Sequence, residues 1–236
     1  MSRLGQAMGT QRARKRRDFY PTIDRRAVPA LLAAMLAVGD IAPGQAVRYA
    51  EPCAGQGDLI QLLQHEAPQL HCAFGLEYDW QDEGLHNRWP IAHGNALTLG
   101  APDLAGVELI VTNPPWKREA LHPLITHLAS LRPTWLLYDG SWAFTKQAAP
   151  FHRVLTDVAA VGRLRFFPPP GRPLRLPGES DAAYRDRARK WRSMDPPDDC
   201  AWYRFCAAEA SAAPPRLHLA VPSAREASAQ GQLALA

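Results

Sequence analysis

Residues 46–58, AVRYAEPCAGQGD, decide the fold of this chain. The apolar stretch at its start predicts a buried strand. The stretch CAGQGD predicts a tight turn, because Gly55 and Gly57 can adopt backbone conformations that other residues avoid. The next stretch, LIQLLQHEA, has the apolar spacing of a helix. A strand, a glycine turn and a helix in this order are typical of an open α/β sheet, whose ligands lie at the carboxyl ends of its strands.

Strands and helices alternate on either side of this unit. A buried helix is predicted over residues 28–38. The further predicted strands are residues 71–78, 107–112, 135–138, 162–167 and 201–207. Their alternation with helices predicts a mostly parallel sheet covered on both faces. The last two strands have no full crossover helix between them, so they are expected to pair antiparallel.

The 236 residues suit one α/β domain with extended ends. The domain is expected over residues 18–209 and includes a strand, an insertion and a strand over 163–200. Residues 1–17 are charged and lack periodicity, which predicts a disordered basic arm. Residues 210–236 are predicted to be a flexible tail, although RLHLAV (216–221) could form a short edge strand.

The formal net charge is +4 with a sequence pI of about 9.0, and the basic residues are clustered. One run extends from Arg163 to Arg192. The other lies in the arm and comprises Arg12, Arg14, Lys15, Arg16 and Arg17. Such clusters suit a polyanion, since binding releases its condensed counterions, but a solvated surface explains charge alone equally well.

The cysteines lack the close paired spacing of zinc or redox motifs, so reduced thiols and no metal site are expected. They are Cys53, Cys72, Cys200 and Cys206. No apolar run is long enough to span a membrane, and the arginine-rich N-terminus lacks the apolar segment of a signal peptide. The sequence therefore predicts a cytoplasmic protein.

The acidic residues around the glycine turn favour a cationic ligand. The turn lacks the lysine and Ser/Thr of a phosphate loop, and Glu51 would repel a phosphate. Glu77 ends the next predicted strand, where a carboxylate can accept two hydrogen bonds from a ribose diol. Asp79 is the alternative candidate for that role.

Residues 112–116, TNPPW, directly follow the apolar strand 107–112 and form a second motif. Consecutive prolines make a stiff loop where a substrate would lie. Together, EPCAGQGD (51–58) and TNPPW resemble the motifs of class I S-adenosylmethionine (SAM)-dependent methyltransferases, above all the adenine-N6 DNA methyltransferases. The resemblance covers roughly residues 18–207, since DFYPT (18–22) is similar to the family's N-terminal cofactor segment.

The resemblance implies a Rossmann-like class I methyltransferase fold, with a mostly parallel seven-stranded sheet and an antiparallel C-terminal strand. It also implies SAM as the cofactor. The implied cofactor-binding residues are Tyr20, Thr22, Glu51, Cys53, Ala54, Gly55, Gly57, Asp58, Glu77 and Asn95. Asn95 stands where the family often has an aspartate, although an amide can both donate and accept there.

The same resemblance implies methyl transfer to adenine in DNA. The implied catalytic residues are Asn113, Pro114, Pro115 and Trp116. An aromatic amine is a poor nucleophile because its lone pair is delocalised into the ring. The oxygens of Asn113 and Pro114 could accept its protons and favour a more tetrahedral nitrogen. Trp116 would stack on a base swung out of the helix.

Basic residues of the insertion, together with Lys117 directly after TNPPW, are the predicted nucleic-acid contact. They are Lys117, Arg172, Arg175, Arg185, Arg187, Arg189 and Arg192. Asp181 could cap a short helix over 182–192 that presents several of these cations, and Trp191 would either anchor that helix or stack on a base. A plain surface loop is the competing interpretation.

Two other functions remain open from the sequence. The same loop type in related families methylates the N2 amine of guanine in RNA or the side-chain amide of a protein glutamine. A protein of another class would bind nucleic acid on a degenerate methyltransferase fold without turnover, because fold alone does not determine function. The sequence does not predict an oligomeric state.

Overall fold

The computed structural model describes residues 20–78, 89–166, 180–185 and 198–219. Its three longest helices are α1 (Ala27–Val38), α2 (Asp58–Glu66) and α3 (Arg118–Leu131). The strands are β1 (Val47–Glu51), β2 (Leu70–Glu77), β3 (Ile91–His93), β4 (Leu109–Thr112), β5 (Thr134–Asp139), β6 (Leu155–Leu164), β7 (Asp198–Phe205) and β8 (Arg216–His218).

The strands form one sheet in the order β3-β2-β1-β4-β5-β7-β6-β8. The first five strands in this order pair parallel. β7 is antiparallel to both neighbours, β5 and β6, and β8 pairs parallel with β6. This is the predicted α/β Rossmann-like sheet, with eight strands in the described residues instead of the predicted seven.

Helices cover both faces of the sheet. Side chains alternate between the two faces of a strand, so each central strand presents apolar side chains to the helices on either side. Tyr49 and Val111 pack with α1 and α2, whereas Ala50 and Ile110 pack with α3. α1 ends at Gly39, whose φ of 85° permits the left-handed conformation that closes the helix. The central strands β1 and β4 are therefore buried on both faces.

The order of the strands reverses between β1 and β4. From β1 the chain proceeds to β2 and β3 on one side, and from β4 to β5 on the other. The crevice outside the carboxyl ends of the strands at such a reversal is where open α/β sheets bind ligands. Residues 52–57 follow β1 and residues 113–117 follow β4, so the two sequence motifs meet at this place.

Three elements differ from the predictions. β3 was not predicted, because three residues are too few to show a periodic pattern. β6 was predicted over 162–167, but it begins at Leu155 and ends at Leu164. β8 lies within the predicted tail and matches the alternative of an edge strand, although it is shorter than 216–221. The predicted arm, 1–17, and residues 220–236 lie outside the described residues.

Candidate functional site at the carboxyl edge of the sheet

Glu51 and Thr112 join the two motifs across the strand reversal. Each ends its strand, and both are buried, with relative exposures of 1% and 0%. The Thr112 hydroxyl donates to Glu51 Oε1 over 2.5 Å, and the Cys53 backbone N–H donates to the same oxygen over 3.3 Å. Thr112 was not among the predicted site residues. Its position directly before Asn113, at the end of the predicted strand, was the signal that could have identified it.

The second oxygen of Glu51, Oε2, is buried and has no hydrogen-bond partner among the described residues. Burial raises the pKa of Glu51 to about 8, and the hydrogen bonds from Thr112, Cys53 and the Asn113 backbone only partly oppose this. Nearby Glu77 raises the same pKa further by charge repulsion. A buried acceptor without a donor, beside a second carboxylate, suits a cationic ligand that donates hydrogen bonds.

The glycine turn is held by the end of β2. The Gly55 backbone N–H donates to Glu77 Oε2 over 2.8 Å, and the Ala54 backbone N–H donates to the carbonyl of Leu76 over 2.8 Å. Gly55 and Gly57 have φ angles of 53° and 83°, which other residues rarely adopt. The predicted turn is therefore present, and Glu77 lies beside it.

Trp89 lies against the turn, which gives Gly57 a packing role. A Cβ on Gly57 would come within 2.4 Å of Trp89 Cδ1 and 3.2 Å of Ile91 Cδ1. The Trp89 indole therefore occupies the space that a side chain at position 57 would need. Close approach of a ligand to Gly57 stays a prediction, and the sequence offered no signal for Trp89.

Asn113 is held at both ends of its side-chain amide. Its Nδ2 donates to the Tyr20 carbonyl over 2.7 Å and to the Thr22 hydroxyl over 2.9 Å. Its Oδ1 accepts from the indole Nε1–H of Trp116 over 2.9 Å. Tyr20 and Thr22, predicted as cofactor contacts, thus contact the predicted catalytic loop.

Trp116 belongs to an aromatic cluster. Tyr20 stacks on its indole with ring centroids 4.6 Å apart and an interplanar angle of 18°, while Tyr138 and Phe166 meet it edge-on. The Tyr138 hydroxyl donates to the Trp116 carbonyl over 3.0 Å. A base that stacks on Trp116 needs the other indole face or the displacement of Tyr20. Its base-stacking role stays a prediction.

The other predicted site residues lie around the same edge. Pro114 is buried and Pro115 half-buried, as a stiff loop requires. Asp58 begins α2, and burial raises its pKa. The Asn95 Oδ1 accepts from the Leu97 backbone N–H over 3.0 Å and caps a short helical turn, so this oxygen already has a structural partner.

All four cysteines are free thiols, as predicted. Burial raises the pKa of Cys53, and it raises that of Cys72 to about 12, so neither thiol is an activated nucleophile. Ala54 is buried beside Cys53 and packs on Ile60. Within the described ranges no group of His, Cys, Asp or Glu could hold a metal ion.

Of the predicted nucleic-acid contacts, the structure describes Lys117 and Arg185, and both are exposed. Lys117 precedes the first residue of α3, at the carboxyl edge of the sheet. Arg185 lies in a helical turn over 181–185. The predicted cap Asp181 is wrong, because the Ser180 hydroxyl accepts from the Ala183 backbone N–H over 3.2 Å. Arg172, Arg175, Arg187, Arg189 and Arg192 lie outside the described residues, as do Asp79 and Trp191.

No protein-family model matches the sequence, and no curated protein matches it. The structure resembles a SAM-dependent methyltransferase from Archaeoglobus fulgidus, with 12% identity, a TM-score of 0.39, and coverage of 74% of this chain and 93% of that chain. It also resembles a Listeria monocytogenes protein described as a class I SAM-dependent methyltransferase, with 9% identity, a TM-score of 0.48, and coverage of 98% and 76%. A third is the plantazolicin methyltransferase solved with SAH, with 10% identity, a TM-score of 0.39, and coverage of 87% and 91%.

The strand order and the antiparallel β7 give this chain a Rossmann-like α/β fold. Similarities at these identities and TM-scores establish neither an activity nor a substrate. No helix among the described residues is long and apolar enough to cross a membrane.

Proposed function

We propose that this chain is a SAM-dependent methyltransferase that acts on the exocyclic amino group of adenine in DNA. The observation that carries the proposal is the orientation of Asn113, whose Oδ1 is fixed by Trp116 and whose preceding residue, Thr112, donates to the buried, half-paired carboxyl of Glu51. An acceptor for amine protons and an acceptor for a cation then lie at the carboxyl ends of adjacent strands, β4 and β1.

The residues present fit SAM. The unpaired Glu51 Oε2 would accept from the ammonium group, and Glu77, whose oxygens can each accept more than one hydrogen bond, would hold both Gly55 and a ribose hydroxyl. The bound cofactor supplies an electrophilic methyl group on a sulfonium. The absence of a phosphate-binding lysine from the turn is consistent with this ligand.

Asn113 and Pro114 would act on the acceptor amine. Each oxygen can accept one amine proton, and this interaction strengthens as the nitrogen becomes tetrahedral and gains positive charge. Asn113 Oδ1 already accepts from Trp116, but an amide oxygen has a second lone pair. Orientation of the amine is therefore the contribution of this loop to the reaction.

A nucleic-acid acceptor is supported by the position of the exposed cations. Lys117 directly follows the proposed acceptor loop, and the predicted basic insertion lies between β6 and β7. Cations beside the site would bind phosphates on both sides of an extruded base. Adenine is proposed from the resemblance of TNPPW to the adenine-N6 family.

Transfer from labelled SAM to DNA, RNA and protein acceptors tests the proposal. Wild type should label adenine-containing DNA and spare the same strand without adenine. Asn113→Ala should lower the single-turnover rate about a hundredfold or more with nearly unchanged SAM affinity, because its oxygen acts mainly in the transition state. Trp116→Ala should instead weaken capture of the base, since stacking contributes about 1–3 kcal/mol per base.

The matched control is Gln64→Ala, which removes an exposed amide from α2 and should leave the rate unchanged. Full activity of Asn113→Ala would refute the proposed mechanism. Labelling of RNA or protein in place of DNA, or of the adenine-free strand, would refute the proposed acceptor.

A further inference from the structure

Residues 20–22 reach across more than ninety positions of sequence to the proposed acceptor loop. Asn113 Nδ2 donates to the carbonyl of Tyr20 and to the hydroxyl of Thr22. Thr22 is 2% exposed, and its contact with Asn113 is therefore shielded from water. The sequence resemblance places this segment against the cofactor, but the contacts connect it to the acceptor side.

Hydrogen-bond chemistry determines which way the Asn113 amide points. The Tyr20 carbonyl can only accept a hydrogen bond, and the Trp116 indole N–H can only donate one. Rotation of the amide by half a turn would set oxygen against oxygen at Tyr20 and donor against donor at Trp116. Both contacts would be lost, so Nδ2 faces the N-terminal segment and Oδ1 faces the loop.

Thr22 adds a second acceptor for the same nitrogen. Nδ2 carries two protons, and Tyr20 and Thr22 each take one, at 2.7 Å and 2.9 Å. Without Thr22 the amide would keep one partner at Nδ2 and one at Oδ1, and the second partner at Nδ2 further restricts the rotation of the amide plane. An oxygen that must meet an amine proton in the transition state depends on such fixed geometry.

We propose that Thr22 is a positioning residue for methyl transfer, whose hydroxyl fixes the amide plane of Asn113 and thereby aims Oδ1 at the acceptor amine. This role rests on the proposed function. It assigns the segment 20–22 to the acceptor, and it predicts an effect on the chemical rate and not on the cofactor affinity.

Thr22→Val tests the role, because valine keeps the shape of threonine and removes the hydroxyl. The single-turnover rate at saturating SAM and DNA should fall about three- to tenfold, the loss expected for one hydrogen bond. Thr22→Ser, which restores the hydroxyl, should recover most of the rate. Calorimetric SAM affinity should stay at the wild-type value in both variants.

Thr134→Val is the matched control. Thr134 is also fully buried, and its hydroxyl also has a partner, the Arg132 carbonyl at 2.8 Å, but it begins β5 at the opposite edge of the sheet. Its variant should react at the wild-type rate. Thermal unfolding of all variants is followed in parallel, and Thr22→Ala provides a second hydroxyl-free protein in case valine prevents folding.

An unchanged rate in the hydroxyl-free variant overturns the proposal, as does a serine variant as slow as valine. Weaker SAM binding with a normal rate at saturation would overturn it too, since Thr22 would then serve the cofactor. The failure of the proposed function is distinguishable: it shows as full activity of Asn113→Ala, whereas an inactive Asn113→Ala with a fully active Thr22→Val refutes the positioning role alone.

Discussion

Two buried ionisable groups at opposite edges of the sheet differ in how completely their polar atoms are hydrogen-bonded. Arg204, 2% exposed at the amino edge, directs its five N–H groups to Asp40, Thr156 and Glu209 at 2.7–2.9 Å. For Glu51, 1% exposed at the carboxyl edge, the described part of the chain supplies a side-chain or backbone partner to one oxygen only. We infer that the fully paired group stabilises the fold, whereas the half-paired one is the proposed contact of a cationic cofactor.

The difference has an electrostatic consequence. Burial disfavours the charge on Arg204, but hydrogen bonds from its guanidinium to Glu209 and Asp40 outweigh this and raise its pKa. Burial likewise disfavours the charge on Glu51, and no cation in the described residues compensates it, so its pKa rises to about 8. The guanidinium is therefore charged without a ligand, whereas the carboxyl at neutral pH is mostly protonated.

The largest expected effect comes from breaking the paired cluster. Arg204→Met leaves the buried carboxylate of Asp40 without its cation and removes a neighbour of buried Asp157. We expect the free energy of unfolding to fall by about 3–5 kcal/mol, the cost typical of an uncompensated buried charge. Urea unfolding monitored by circular dichroism measures it.

Arg163→Met is the control for that substitution. Arg163 forms an ion pair with Asp199 at 3.6 Å, but both side chains are more than half exposed. Its loss should cost less than about 1 kcal/mol. Equal effects of the two substitutions would show that the burial of Arg204 contributes nothing beyond a surface ion pair.

The second effect concerns Glu51 in the ligand-free protein. Its folded-state pKa of about 8 lies above the ordinary 4.5, so the native state binds the proton more tightly than the unfolded state. Stability should therefore decline as pH rises from about 4.5 to about 8 and level off above. In Glu51→Gln this decline should disappear, because a side-chain amide does not titrate.

Unfolding titrations at several pH values provide this measurement. Glu108→Gln serves as the control, because Glu108 is exposed and accepts from the Arg48 backbone N–H over 2.7 Å, a contact that an amide oxygen can keep. A Glu51→Gln profile that runs parallel to the wild-type profile would show that the pKa of Glu51 is not raised in the folded protein.

The smallest effect concerns two exposed cations, Lys117 and Arg185. If Lys117 and Arg185 contact phosphates, each alanine substitution should flatten the dependence of log affinity on log salt concentration by about one unit. Fluorescence anisotropy with adenine-containing DNA gives this slope. The control Arg153→Ala, at an exposed position before β6, should not change this slope. A slope unaltered by substitution of Lys117 and Arg185 would show that they do not contact phosphates.

The position of the two motifs at one edge of the sheet could be predicted from the sequence, but part of the sheet could not. The glycine turn and TNPPW each follow an apolar strand, which places both at one edge. The start of β6 contains Asp157, a buried carboxylate whose contacts with Arg216 and His218 help to make a polar residue compatible with a strand. Those partners lie about 60 residues away, so no local pattern revealed the element.

The candidate site could likewise be predicted only in part. The chemistry of Asn113 and Glu51 followed from residue type and place in the sequence. The hydrogen-bond partners of these two residues did not follow from the sequence. The Thr22 hydroxyl lies 91 positions from Asn113, and the Thr112 hydroxyl lies 61 positions from Glu51. Trp89 beside Gly57 was also beyond a local pattern, because only the folded sheet brings it there.

Calorimetric titration of SAM at pH 7 into wild type and Glu51→Gln, in buffers of different ionisation enthalpy, tests the central claim most directly. We expect wild type to bind and to release up to about one proton, because the ligand's cation ionises a carboxyl whose pKa is about 8. Glu51→Gln should bind roughly tenfold more weakly or worse, without that proton release. No binding by wild type, or equal binding by both proteins with no proton released, would contradict the assignment of Glu51 to a cationic cofactor.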